Sequence, residues 1–420
     1  MLLVVLAALP AAATIAMPGP VLPIRIDAAA DTVDVADAAA LQRFLKDPGR
    51  LGGKILLLAP GNYGALAESG LSSLTLRSAD PRNPAVFSEV SLRDARDVTF
   101  ENITVKYDFA DGDKAHTVAF SIAGGERIIL RGMTLTGDLA RSVDPSDDGY
   151  PTGFGLRVRG AKGVTVEDSR ISMFFRAALF GDSDDVVFRR NDVHDIRMDG
   201  LNFAAIQGVE IADNWIHDFR RSLTSKDHAD MIQFWTNKTK RPSTDIVIRG
   251  NVLDSGVGKY TQSIFMRNEE VDTGRAGHEM YYRNIVIEQN VIINAHLHGI
   301  SLGETDGLTI RKNTLIHNPV SDGEKPKPKL WRPRINIPDA AVNVVLRDNA
   351  AAGFPDARPG WDVGNNLAIQ DMTRVDGNFY SLLFSDPFHR AADGVSGYTY
   401  LPDGPLQQRG IGADRLREPS

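Results

Sequence analysis

The stretch Val186–Asn191, with the sequence VVFRRN, decides the fold because its pattern returns along the chain. Apolar residues alternate at its start, and an asparagine closes it. Further copies lie at 209–214, 246–251, 285–290, 308–313 and 344–349. The closing asparagines are 23, 37, 39, 23 and 36 residues apart, and the shortest gap is too short for a strand plus a full crossover helix. The spacing therefore predicts a stacked solenoid, in which each short strand buries its apolar face on the next coil.

The asparagine at one fixed position suggests how successive coils are held together. Asparagine tolerates the left-handed backbone conformation, and its side-chain amide can bond the same amide one coil along. We therefore predict an all-β fold, a right-handed parallel β-helix. Chance alternation in a β-sandwich is the alternative.

The totals exclude some function classes. With 42% hydrophobic and 24% charged residues, the chain of 420 residues has the composition of a soluble globular protein. A net charge of -7 argues against a nucleic-acid partner, but an acidic ligand stays open because the local charge in a groove matters more. The absence of cysteine excludes disulfides, thiolate chemistry and cysteine-based zinc sites.

The chain divides into four expected parts. The apolar run Leu2–Leu9, followed by Pro10 and three alanines, predicts a signal peptide over 1–16 and hence a secreted or periplasmic protein. No later stretch is long enough to cross a membrane. Residues 31–63 are expected to form an N-terminal cap, with an amphipathic helix over 35–46 and a first strand. The β-helix is expected over 64–349 and an irregular cap or tail over 350–420.

A second strand is expected after each asparagine, and its outward residues form columns. One column comprises Arg157, Leu179, Asn202, Gln233, Phe265, Ser301 and Asn336. Two further columns precede it on each coil: Arg176, Asp199, Asp230, Gln262 and His298, and then Phe174, Arg197, His228, Tyr260 and His296. Coil length varies on both flanks of this strand, which predicts loop walls on either side of a groove.

The columns carry the groups needed to remove the C5 proton of a uronate sugar. That reaction needs a cation or an acid for the sugar carboxylate, a base for the proton and an acid for the leaving oxygen. We predict His228 as the base, since free imidazole titrates near neutral pH. Arg197 is predicted to neutralise the sugar carboxylate, Tyr260 to act as the acid, and Asp230 to orient the imidazole. The predicted substrate-binding residues are Lys226, Asp199, Asn202, Gln233, Trp235, Arg267, His296 and His298, of which Lys226 and Arg267 are alternative cations and His296 an alternative acid.

Two stretches resemble known families. The stretch 41–64, LQRFLKDPGRLGGKILLLAPGNYG, resembles the entry segment of β-helix polysaccharide lyases of the chondroitinase B and alginate lyase kind. Asp227-His228, with the coil NAHLHGISLGETDGLTIRKN at 294–313, resembles the mannuronan C5-epimerases of the β-helix class, whose Asp-Pro-His motif lacks its proline here. The resemblance implies a parallel β-helix acting on an acidic polysaccharide.

The leading hypothesis is an exported lyase or C5-epimerase acting on a uronate-containing polysaccharide. A glycoside hydrolase using Asp199 and Asp230 as its carboxylate pair is one alternative, and their separation would decide its stereochemistry. A non-catalytic glycan-binding or surface β-helix is another, because fold alone does not fix activity. Calcium could replace a basic neutralising group; its candidate ligands are Asp199, Asp227, Asp230, Glu269 and Glu270.

Overall fold

The computed structural model describes residues 31–46, 52–372, 377–389 and 394–417. Within them the chain is a right-handed parallel β-helix with three faces, which confirms the predicted fold class. The first face, here called the repeat sheet, carries the repeated pattern. Its thirteen strands are β1 (Thr32–Val35), β2 (Lys54–Leu58), β4 (Ser72–Ser78), β6 (Arg96–Glu101), β9 (Glu126–Arg131), β14 (Lys162–Glu167), β17 (Asp184–Arg189), β20 (Gln207–Ala212), β23 (Thr244–Arg249), β26 (Tyr282–Glu288), β29 (Thr305–Arg311), β32 (Val342–Arg347) and β34 (Asp362–Gly364). The expected signal peptide lies outside the described residues.

The other two faces form one 21-stranded sheet, because β5 pairs with both β7 and β8. The site row comprises β3 (Gly61–Ser69), β5 (Ala85–Arg93), β8 (Val118–Ala123), β13 (Phe154–Arg159), β16 (Arg176–Gly181), β19 (Asp199–Ala204), β22 (Ala229–Trp235), β25 (Thr261–Met266), β28 (His298–Leu302) and β31 (Arg334–Asn336). The short row comprises β7 (Thr104–Lys106), β10 (Thr134–Thr136), β15 (Arg170–Ser172), β18 (Asp192–His194), β21 (Trp215–His217), β24 (Val252–Asp254), β27 (Val291–Asn294), β30 (Thr314–His317), β33 (Ala350–Ala351), β35 (Leu367–Gln370) and β36 (Asn378–Phe379). A separate antiparallel pair joins β11 (Asp138–Leu139) to β12 (Pro151–Thr152).

The two ends of the stack are capped differently. Helix α1 (Ala38–Leu45) covers the first coil and is capped by Asp37, whose carboxylate accepts the Ala40 N–H at 2.7 Å. It begins later than expected, because Val35 pairs in β1 instead. The β-helix continues past the expected end at 349, because β33–β36 still pair in parallel, and the irregular cap follows β36. The remaining helices are α2 (Glu269–Asp272), α3 (Pro405–Gln408) and the 3₁₀ turns His278–Met280, Pro319–Ser321, Pro328–Leu330, Tyr380–Leu382, Ser396–Tyr398 and Asp414–Leu416. None of the helices over the described ranges has the length and apolarity of a membrane span.

The predicted asparagine ladder lies inside the corner between the repeat sheet and the short row. Its seven rungs are Asn191, Asn214, Asn251, Asn290, Asn313, Asn349 and Asn366, and each amide donates to the next at 2.9–3.0 Å. The left-handed residue is not the asparagine, however, but the residue before it, such as Arg190 at φ 53° or Lys312 at φ 52°. The preceding residue makes the turn, and this aims the asparagine side chain inward, where it reaches the next rung.

Only this corner keeps a constant length from coil to coil. From β17 to β33 the turn holding the ladder always has two residues, as at 190–191 and 312–313. The corner before the site row ranges from 295–297 to 318–333. The corner after it ranges from 205–206 to 267–281. The predicted loop walls on both flanks of the site row are therefore present.

Candidate functional site

The outward column of the site row has the predicted register. Asn202 pairs with Gln233, Gln233 with Phe265 and Phe265 with Ser301, so that these side chains follow one another up the stack. Asn202 Nδ2 donates to Gln233 Oε1 at 2.9 Å, which links two coils on the outer surface. The column forms the floor between the two loop walls.

A local break in alternation brings two aspartates onto the same floor. Met231 and Ile232 both face the core, so their neighbours Asp230 and Gln233 both face outward, and Gln233 Nε2 donates to Asp230 Oδ2 at 2.7 Å. One coil earlier, Gly200 occupies the inward position of Met231. A Cβ there would lie 2.5 Å from the Met231 carbonyl oxygen, so this position excludes larger residues. Sequence alternation alone did not indicate this break.

Asp199 and Asp230 form a buried carboxylate pair, each with no exposed surface. Asp199 accepts hydrogen bonds from the Asp230 backbone N–H at 3.2 Å and from Asn202 Nδ2 at 3.1 Å, and Arg176 Nε lies 3.1 Å away. Burial raises the pKa of both carboxyls, and the charge of Asp199 raises the pKa of Asp230 further. Asp230 Oδ1 has no hydrogen-bond partner within the described part of the chain. The pair therefore holds a proton more readily at Asp230 than at Asp199.

His228 lies over this pair, and 49% of its side chain is exposed. Its Nδ1 atom is 3.7 Å from Asp230 Oδ2 and 4.0 Å from Asp199 Oδ1. Among the residues that the structure describes, its Nε2 atom has no hydrogen-bond or ion-pair partner. The imidazole thus turns one nitrogen toward the carboxylates and keeps the other for a ligand.

Arg197 lies in the predicted column but is enclosed, with 1% of its surface exposed. Its guanidinium binds Asp227 at 2.7 Å and Asp147 at 2.5 Å, and it stacks over the Phe175 ring at 5.1 Å. Asp147 belongs to the 140–150 loop and Asp227 to the 218–228 loop. Arg197 therefore ties together two loops of the same wall, both in the corner before the site row, and has no open face for a sugar.

Arg221, which the sequence reasoning missed, lies near Tyr260 and His296, where Arg197 was expected. Its guanidinium is 5.5 Å from the centroid of the Tyr260 ring, and it interacts electrostatically with Asp230 and His296. Its Nε atom is buried without a hydrogen-bond partner among the described residues. Burial lowers its pKa, against the effect of nearby acids, but a guanidinium stays charged. The available signal was its place in the long 218–228 loop, directly before the predicted His228.

Tyr260 is in register with His228, one coil along, and has a left-handed backbone at φ 61°. Its hydroxyl oxygen accepts the Glu324 backbone N–H at 3.0 Å, and its ring meets the edge of Trp331 at 5.4 Å. The hydroxyl proton of Tyr260 remains available for donation. The 318–333 loop therefore packs against this end of the row.

That loop is fastened by His317, which is buried at the end of β30. One ring nitrogen of His317 bonds Asp371 and the other bonds Asp322 at 2.6 Å. Burial lowers the pKa of His317, but the two carboxylate bonds outweigh burial and leave the pKa raised. Arg332 also binds Asp371, at 3.0 Å, so both ends of the loop are joined to the segment after β35.

His296 and His298 lie on the next coil, with their rings 5.1 Å apart. The His298 backbone N–H donates to His296 Nδ1 at 3.1 Å. Ser301 Oγ accepts from Asn336 at 2.9 Å and shares a hydrogen bond of 2.7 Å with His298 Nδ1. Because its Nδ1 accepts the His298 backbone N–H, the neutral His296 ring carries its proton on Nε2. Burial lowers the pKa of both, to about 3 for His296, where the charges of His298 and Arg221 add to the effect.

The other predicted binding residues lie before or after the strands of the site row or at their ends. Lys226 is exposed on the 218–228 loop, and Trp235 is half-buried at the far end of β22. Arg267 pairs with Asp272 at 2.8 Å and is half exposed. These residues lie at the edges of the groove rather than at its centre.

Asp199, His228 and Asp230 are the one group of potential metal ligands found among the described residues, with ligand atoms within 4.8 Å of one another. Two carboxylates and one imidazole fit a four-coordinate ion better than calcium, which takes six to eight oxygens. The other predicted calcium ligands are used elsewhere. Asp227 binds Arg197, while Glu269 and Glu270 accept backbone N–H groups of the 236–243 loop.

No protein-family model matches the chain, and no curated protein matches it. Solved structures that are similar in fold include an alginate lyase of the PL6 family, with 12% identity and a TM-score of 0.47 over 92% of this chain and 57% of that chain. PfbA, a surface adhesin of Streptococcus pneumoniae, has 10% identity and a TM-score of 0.49 over 82% of this chain and 88% of that chain. The A-module of a mannuronan C-5 epimerase of Azotobacter vinelandii has 12% identity and a TM-score of 0.41 over 80% of this chain and 96% of that chain. At these identities the similarity concerns the fold, and this chain spans little more than half of the alginate lyase.

Proposed function

We propose that this protein is an exported enzyme that removes the C5 proton of a uronate unit in an acidic polysaccharide, giving β-elimination or epimerisation. One observation carries the proposal: a half-exposed imidazole lies over a buried carboxylate pair, at the floor of a groove that also contains a cation and a phenol. The assignment of each role follows from the contacts of that side chain.

His228 is the proposed base. Its Nδ1 side faces Asp199 and Asp230, and a negative charge there stabilises the imidazolium that forms when Nε2 takes a proton. A shift of less than 1 Å would bring Nδ1 into hydrogen-bond range of Asp230. Asp230 is thus a positioning residue, since its own surface is covered.

Arg221 is the proposed neutralising cation for the sugar carboxylate. Removing a proton beside a carboxylate builds up negative charge, which a fixed cation in a partly dehydrated site stabilises. Arg197 has two carboxylate partners and no exposed face, so in this proposal it holds the loops instead. Arg221 has an unpaired Nε, lies over the Tyr260 ring and acts electrostatically on His296.

Tyr260 is the proposed acid for the leaving oxygen. The Glu324 N–H that it accepts would stabilise the phenolate left after proton donation. His296 suits this role less well, because a pKa lowered to about 3 keeps its ring neutral near neutral pH. His296 instead presents an Nε2–H group, which suits a hydroxyl or carboxylate oxygen of the sugar.

The hydrolase alternative requires two carboxyl groups that reach the glycosidic bond. Asp199 and Asp230 have no exposed surface, and both oxygens of Asp199 already accept hydrogen bonds. We therefore favour proton abstraction by the exposed imidazole. The Asp–His–Asp group has fewer oxygen donors than calcium takes, so no step of the proposal depends on a metal.

The test is a panel of uronate polysaccharides measured three ways. Lyase activity raises the ultraviolet absorbance of an unsaturated product, epimerisation incorporates solvent deuterium at C5 without cleavage, and hydrolysis creates reducing ends without unsaturation. We expect His228→Ala, Arg221→Met and Tyr260→Phe each to lower kcat by about 10²–10⁴-fold. Lys162→Met, which removes an exposed cation of the repeat sheet, is the control for loss of a surface charge.

Full activity in the His228→Ala and Arg221→Met variants would overturn the site. Reducing ends without unsaturation would establish the hydrolase instead. No reaction on any polymer of the panel would favour a non-catalytic binding protein.

A further inference from the structure

A trough lies on the outer surface of the site row, beside the groove floor but away from His228. Arg159, Gly181, Ala204 and Trp235 occupy the same position on four successive coils. The two middle residues have almost no side chain, while the two outer ones are large. Since adjacent coils are about 4.8 Å apart, a gap of roughly 14 Å separates the guanidinium coil from the indole coil. The cavity between them is about 270 Å³.

The trough is open at its floor. A Cβ added to Gly181 would meet no atom within 4 Å, and the backbone there is not left-handed. The space above Gly181 is therefore not needed for packing of the fold. A larger residue can occupy it without disturbing the coil, which makes the trough testable.

Cations predominate around the trough. Arg157, Arg159 and Lys238 line it, with Asp182 as its only acidic lining residue. Asp182 pairs with Arg159 at 3.4 Å, whereas Arg157 and Lys238 have no ion-pair partner among the residues that the structure describes. Unpaired cations at one cavity of a chain with net charge -7 indicate an anionic ligand.

The wall that carries Lys238 is held in place. The Thr236 backbone N–H donates to Glu269 at 2.9 Å and the Lys238 backbone N–H to Glu270 at 2.8 Å. Arg275 binds Glu270 in turn, at 2.8 Å. The trough is thus formed before any ligand arrives, which reduces the entropy lost on binding.

We infer that this trough binds a carboxylate-bearing sugar unit of the same polysaccharide chain whose neighbouring units reach His228. The inference rests on the proposed function for its substrate class. Trp235 offers a half-buried aromatic face for a sugar ring, and the free cations offer charge for its carboxylate. Gln233, two residues before Trp235, bonds Asp230 and so joins the trough to the floor beneath His228.

The experiment measures binding and turnover of an oligouronate six units long, with a neutral oligosaccharide of the same length as comparator. The variants are Gly181→Leu, which fills the trough, and Arg157→Gln with Lys238→Gln, which removes its free charges. Lys162→Gln, an exposed cation on the repeat sheet, is the control. We expect Gly181→Leu and the double variant to raise Kd and KM about tenfold or more with little change in kcat, while the control stays at the wild-type value. Thermal melts check folding.

Unchanged oligouronate affinity in folded trough variants would overturn the inference, even if His228→Ala abolishes catalysis. Conversely, loss of oligouronate binding in the trough variants of a protein without activity would retain the trough and reject the proposed reaction. Equal losses for the neutral oligosaccharide would also reject the anionic ligand.

Discussion

Removing one rung of the asparagine ladder tests how the coils are held in register. Asn251 is fully buried. Its Nδ2 donates to the Ile211 carbonyl and to Asn290 Oδ1, both at 2.9 Å. Its Oδ1 accepts the Asn214 backbone N–H at 3.0 Å and Asn214 Nδ2 at 2.9 Å. Asn251→Ala therefore deletes four hydrogen bonds at once and leaves their partners buried.

The size of the effect follows from these contacts. A buried hydrogen bond contributes about 1 kcal/mol net, and a buried group left without a partner loses more. We expect Asn251→Ala to lower the free energy of unfolding by roughly 3–5 kcal/mol. That is a large share of the 5–15 kcal/mol that is typical of a folded domain.

The assay is urea unfolding followed by far-ultraviolet circular dichroism, with hydrogen exchange to locate the loss. Asn366→Ala is the matched control. Asn366 also takes part in three side-chain bonds of the ladder, but it is partly exposed at the end of the ladder, where water can replace them. We expect it to lose no more than about half as much stability. If Asn251→Ala loses no more than Asn366→Ala, the ladder does not hold the coils as argued.

Three other perturbations have signs fixed by the structure. Asp230→Asn should raise the free energy of unfolding at neutral pH. The pKa of this carboxyl is raised in the folded protein, so the wild type loses stability as pH rises from the unfolded pKa through the folded pKa. The variant should flatten that pH dependence and also lower turnover. The raised pKa of His317 gives stability that is complete below its unfolded pKa of about 6.5 and lost as pH rises through the folded pKa. The exchange protection of residues 318–333, corrected for the intrinsic base-catalysed rate, should therefore fall at alkaline pH in the wild type but show no such step in His317→Gln. Arg197→Met should leave the carboxylates of Asp147 and Asp227 without their cation and lower the free energy of unfolding by about 3–5 kcal/mol. Residues 140–150 should then become sensitive to limited proteolysis. Protease resistance equal to that of the wild type would contradict the role given to this ion pair.

The repeat made the register predictable. Six copies of one pattern place Asn202, Gln233 and Phe265 in one column, and the structure pairs them in that order. The same pattern predicted the asparagine ladder but assigned the left-handed backbone conformation to the wrong residue, because the sequence does not tell which residue of the turn adopts it. The inward side-chain amide requires the turn to be made one residue earlier, at Arg190 or Lys312.

The free and the occupied cations could not be told apart from the sequence. Arg197 lies in a repeated column and Arg221 does not, but a column position does not indicate the partners of a side chain. Asp147 decides the matter for Arg197, since it comes from a loop 50 residues earlier in the chain and binds at 2.5 Å. Contacts between loops of unrelated coils have no periodic signature, so only coordinates reveal them.

The ladder also explains why the candidate site lies on the site row. Each rung needs the next amide at 2.9–3.0 Å, so the ladder corner cannot change length without breaking a buried bond on both sides. The corners on either side of the site row carry no such chain, and a longer loop there meets solvent instead. Long loops at 218–228, 318–333 and 267–281 therefore gather on one face. A groove with walls can form only where the coils tolerate longer loops. That place is the site row, which lies opposite the corner where the asparagine ladder fixes the register of the coils.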